Sequence, residues 1–73
     1  MPAKQITPSM RAERILKSAR AAKGMDQITA AKKLNITSST VSRWEKDIFG
    51  VKLSDVLLMC KLYGVEPNQI LEV

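Results

Sequence analysis

Apolar and polar positions follow helical spacing in four stretches of the chain, and helix-ending residues separate the stretches. In MRAERILKSARAAK, Met10, Ile15, Leu16, Ala19 and Ala22 approximate an apolar stripe, and basic residues occupy much of the rest. Ser9 is positioned to cap this helix and Gly24 to end it in a left-handed turn. Asp26 then caps QITAAKKL, which Asn35 closes; its central Ala30 and Ala31 allow another backbone to come close. Thr37 caps SSTVSRWEK, with Val41 and Trp44 on one side. DIFGVK is expected as a loop with unusual apolar content. LSDVLLMCKLY forms a fourth helix ended by Gly64, and Pro67 begins a short last one through Ile70 and Leu71. MPAKQITP has two prolines and no sustained period, so residues 1–8 are expected as a flexible arm and 9–73 as the folded domain. No strand is signalled. The expected fold is all-α, a compact five-helix domain without internal repeats.

Size and composition bound what such a domain can do. Seventy-three residues allow one domain, and 45% apolar content is too high for an intrinsically disordered tail. No apolar run approaches the roughly 18 residues needed to cross a bilayer, and no charged start precedes an apolar segment of signal-peptide type. A soluble, cytoplasmic protein is the expectation. Cys60 is the one cysteine, which leaves no intramolecular disulfide and no metal quartet. It is expected as a small core residue. Histidine is absent, and with no clustered carboxylates or glycine-rich phosphate loop the sequence offers no catalytic constellation. No enzyme activity, cofactor, metal or small-molecule ligand is expected.

Charge is distributed unevenly. Residues 1–46 carry ten Lys or Arg against three acidic residues, a net +7, whereas residues 47–73 carry two against four, a net −2. A basic amino-terminal two thirds suits a phosphate-binding surface, although a solvated basic face accounts for charge alone equally well.

Geometry adds what charge cannot supply. Only Asn35, Ile36 and Thr37 separate the second and third helices, so the two cross sharply and the third is exposed. Its outer face carries Ser38, Ser39, Ser42, Arg43 and Lys46, short hydroxyls near the helix start and longer cations beyond. Short residues let a helix approach a groove floor, and Arg presents two donors to guanine O6 and N7. The positive amino end of the helix suits phosphates.

These residues resemble the phage Cro and repressor type of helix-turn-helix domain, the XRE family, over residues 16–71. The family pattern LRxxRxxxGLSQxxLAxxLGVSxSTISxWExG is similar to LKSARAAKGMDQITAAKKLNITSSTVSRWEKD without a gap, and KLSDVLLMCKLYGVEPNQIL is similar to its closing helices. The resemblance implies binding to double-stranded DNA through a recognition helix at about 38–46. It implies base reading by Ser38, Ser39 and Arg43 with Ser42 beside them. It places Gln27, Thr37 and Lys46 at phosphate-contacting or capping positions, and Gln27 also as a brace for the recognition helix. Charge alone adds Lys32 as a backbone contact, with Lys33, Lys17 and Lys23 as further phosphate candidates. Arg20 is implied to pair with Glu45, a structural link between the first and third helices, and Trp44 is expected as a core anchor beside Val41.

Departures from the family pattern carry their own expectations. Asn35 stands where Gly is usual, and Asn tolerates the left-handed conformation. Ala30 replaces a common Leu. The apolar loop, together with Leu58, suggests a surface patch of Ile48, Phe49 and Leu58 for contact with a second copy; filling a small core is the competing explanation. One short helix covers few base pairs, so a homodimer on a palindromic operator is the natural arrangement. The expected role is a Cro-like phage or prophage repressor. A narrower similarity, over ITAAKKLNITSSTVSRWEKD and the LYGV helix, is to the CII-type activators of lambdoid phages. An antitoxin or adaptor that binds protein is a further alternative.

Overall fold

The computed structural model describes residues 7–71, and most of the arm expected over residues 1–8 lies outside the described residues. Five helices follow one another: α1 (Pro8–Ala22), α2 (Gln27–Leu34), α3 (Ser38–Lys46), α4 (Leu53–Tyr63) and α5 (Pro67–Ile70), with a 3-10 turn at Ile48–Gly50 between α3 and α4. The described residues contain no strand.

Local chemistry sets most of these boundaries. The Asp26 carboxylate accepts from Thr29 N at 2.7 Å to start α2, and Thr37 Oγ1 accepts from Thr40 N at 3.2 Å to start α3. Asn35 ends α2 in the left-handed region, at φ 61° and ψ 44°, and Ile36 N then donates to Ala31 O at 3.0 Å. Asparagine thus supplies the turn conformation that the family pattern gives to glycine. Gly64 does the same at the end of α4 at φ 73°, where a Cβ would also come within 2.8 Å of Lys23 Cε. The start of α1 differs from expectation. Thr7, not Ser9, is the cap, its Oγ1 accepting from Met10 N at 3.1 Å. Pro8 occupies the first helical position, where its missing N–H has no intrahelical partner to lose and its fixed φ suits the helix.

The core lies where α1, α3 and α4 meet, closed by α5 and by the 3-10 turn. Leu16, Val41, Ile48 and Met59 are fully excluded from solvent, and Val56, Cys60, Tyr63 and Ile70 surround them. On α1 the buried residues are Ala12 and Leu16. Met10 and Ala22, expected in the stripe, face solvent. The small side chains of Ala30 and Ala31, both buried, let α2 pack closely against α3. Ile48 requires a correction. Expected on a surface patch, it is completely buried, because the 3-10 turn folds it down against α1 and α3. Trp44 requires a smaller one: it packs against the core but remains partly exposed.

Candidate nucleic-acid interface

The orientation of α3 is fixed from behind by a buried carboxylate. Glu45 has no solvent exposure, and its two oxygens collect donors from three other helices. Arg20 of α1 donates through Nε to Oε2 at 2.8 Å and through Nη2 to Oε1 at 3.4 Å. Gln27 of α2 donates through Nε2 to Oε1 at 3.3 Å, and the Tyr63 hydroxyl of α4 donates to Oε2 at 2.6 Å. Arg20 Nη1 also reaches Met25 O at 3.1 Å, tying the α1–α2 turn to the same cluster. A buried ion pair is a weak source of net stability, but removing one partner leaves a costly unpaired charge. The cluster therefore penalises any rotation of α3 that would separate Glu45 from its donors.

The protonation equilibria carry the same imprint. Hydrogen bonding to Glu45 raises the Arg20 pKa above its ordinary value. Burial, then the hydrogen bond to Glu45, raises that of Tyr63. At the start of α2 the hydrogen bond from Thr29 N holds the Asp26 carboxyl below the usual carboxylate range. Burial raises the Cys60 thiol pKa, which disfavours the thiolate, and the side chain is excluded from solvent.

With Val41 and Glu45 held inward, helical geometry decides what faces out. At about 100° per residue, Ser38, Ser42, Lys46, Ser39 and Arg43 fall in that order across an arc of about 140°. Ser38, Ser39, Arg43 and Lys46 are exposed, and Ser42 is half-buried. Short hydroxyls thus lie toward the amino end of α3 and the two cations toward the carboxyl end. Thr37 is engaged locally: besides capping, its Oγ1 lies 3.1 Å from Ser39 Oγ and 2.8 Å from Thr40 Oγ1. Gln27 is half-buried against Glu45, and Lys32 and Lys33 are exposed in the last turn of α2. Lys17 pairs with Glu13 at 2.9 Å, and the Lys23 stem lies over Gly64.

A second exposed feature lies on α4. Leu53, Leu57 and Leu58 are 59%, 46% and 57% exposed, and Phe49 of the preceding turn is 44% exposed. Leu53 and Leu57 were not foreseen, although their i, i+4 spacing puts them on one helical face, with Leu58 about 100° round the helix from Leu57. Tyr63 was also missed as a partner of Glu45. Its signal was the spacing that puts it in step with Val56, Met59 and Cys60 on the inner side of α4.

A family model described as helix-turn-helix matches residues 16–70. No curated protein and no solved structure matches the chain. The chain belongs to that helix-turn-helix family, of the XRE type, and with it to the DNA-binding transcription regulators. Among the described residues no helix is long and apolar enough to cross a membrane.

Proposed function

We propose that this member of the helix-turn-helix family lays α3 in the major groove of double-stranded DNA and reads sequence there, as a Cro-like repressor acting from a palindromic operator. The supporting observation is the outward arc of α3, held in one orientation by the inward side chains Val41 and Glu45. In this reading Arg43 donates two hydrogen bonds to a guanine, and Ser38, Ser39 and Ser42 contact neighbouring base edges. Lys46 and Lys32 meet phosphates as cations. Thr37 and Gln27 contribute phosphate contacts while serving as cap and brace, and the second amide N–H of Gln27 is the donor still available.

A single copy reads few base pairs, so two copies are joined in this reading through the exposed face of α4. Leu58 and, in the preceding turn, Phe49 are its candidate contacts, and Leu53 and Leu57 are further exposed apolar side chains of α4. The same apolar face favours the alternative of an adaptor or antitoxin that binds another protein. A CII-like activator shares the DNA chemistry and differs only in what the bound protein recruits.

Selection of duplexes from a random-sequence library tests this proposal. A symmetric consensus, bound with an affinity that falls steeply as salt rises, is expected. No enrichment, or binding indifferent to salt, removes DNA reading and leaves the protein-binding alternative.

A further inference from the structure

Beside the outward arc, α3 ends in an open depression of about 400 Å³ lined by Arg43, Trp44, Asp47, Gly50, Val51, Lys52 and Asp55. It brings the arc's longest donor, Arg43, to the same concavity as the Asp47 carboxylate. Asp47 follows Arg43 by one helical turn, and its N–H closes α3 by donating to Arg43 O at 2.9 Å. Its carboxylate lies over the backbone of Gly50, so closely that a Cβ there would come within 3.0 Å of Oδ2. Gly50 therefore provides the space in which that carboxylate sits. Residues four apart at a helix end lie within side-chain reach of each other. No side-chain hydrogen bond or ion pair joins Arg43 to Asp47 among the described residues, so the Arg43 guanidinium is not committed to Asp47 without DNA.

We propose that Asp47, seated over Gly50, is a specificity-determining positioning residue that steers Arg43 toward a base edge and away from phosphate. The inference rests on the reading of α3 as a recognition helix. A guanidinium has five N–H donors, and a guanine occupies two of them. A carboxylate on the trailing side engages the others and fixes the plane of the fork. The same negative charge repels phosphates, so the low-information alternative for Arg43, a salt link to the backbone, is disfavoured. Asp55, which also lines the depression, adds a second negative charge to this repulsion, and Lys52 offsets part of it.

The test compares wild type, Asp47→Asn, Asp47→Glu and Gly50→Ala on two probes: the duplex selected by the wild-type chain and a random-sequence duplex of equal length. For Asp47→Asn the ratio of selected to random affinity is expected to fall about fivefold or more, with random-duplex affinity rising because a repulsive charge is gone. Asp47→Glu is expected to restore the ratio. Gly50→Ala is expected to lower it without any change of charge. An unchanged ratio in Asp47→Asn, including equal losses on both probes as a merely structural role would give, overturns the proposal. If the wild-type chain itself selects no sequence, the reading of α3 falls, and this inference with it.

Discussion

Arg20→Ala removes two of the four hydrogen bonds that Glu45 accepts, together with the positive charge that balances it. Glu45 is fully buried and the Arg20 side chain is 14% exposed, so solvent cannot replace what is lost. Breaking one side of such a pair costs about 3–5 kcal/mol. Gln27 and Tyr63 still donate to the carboxylate, which places the expected cost near the lower figure, about 3 kcal/mol. A domain of this size has a total stability of roughly 4–11 kcal/mol, so the loss is a large share of it. The melting temperature should fall by roughly 12–24 °C. Urea unfolding followed by circular dichroism measures the change directly. Pairing Arg20→Met with Glu45→Gln should cost less than the sum of the two single variants, because neither leaves an unpaired charge once both are made. An Arg20→Ala cost below about 1 kcal/mol, typical of an exposed pair, would refute the reasoning that a desolvated carboxylate holds α3 in place.

Three further outcomes follow from the same geometry. The raised pKa of Tyr63 means that its stabilising contribution is complete below its ordinary value of 10.0 and is lost as pH rises above it. Wild type should therefore lose about 1.4 kcal/mol per pH unit from this group above pH 10, and Tyr63→Phe should lack that component while costing about 1–3 kcal/mol near neutrality; identical alkaline profiles would sink the assignment. Lys46→Ala should weaken binding to selected and random duplexes alike and reduce the salt slope by about one unit, and an unaltered slope would exclude a phosphate contact. Leu58→Glu, at a side chain 57% exposed, should leave the fold intact and convert a sedimenting dimer to monomer. A wild-type chain that stays monomeric with and without its selected duplex would discard the α4 face as a joint between copies.

Element boundaries were legible because they rest on nearby residues. Asp26, Thr37, Asn35 and Gly64 each satisfy or redirect backbone groups within a turn of their own position, and all four end or begin helices where the sequence places them. Thr7 escaped because it and Pro8 fall in the stretch that, for its two prolines and lack of period, is expected as an arm, whereas Pro8 is the first residue of the helix. Ile48 and Phe49 show a different limit. They are adjacent and both apolar, and only the 3-10 turn decides that Ile48 goes under while Phe49 stays out. Periodicity carries no information over two residues of a loop. At the candidate site, Arg20 and Glu45 were named from resemblance and meet at 2.8 Å. Tyr63 was not named, because nothing local records that its hydroxyl meets a carboxylate eighteen residues away. The outward arc of α3 was readable from spacing alone, once Val41 had fixed the inner side.

The central claim is that this arc reads DNA, and one titration addresses it most directly. The affinities of wild type and Arg43→Ala are measured on the selected duplex and on a random-sequence duplex at a fixed salt concentration. Arg43→Ala is expected to lose about 1–3 kcal/mol on the selected duplex and much less on the random one, with relaxed preference at a single base pair. Equal losses on both duplexes, or none on either, would contradict base reading by α3.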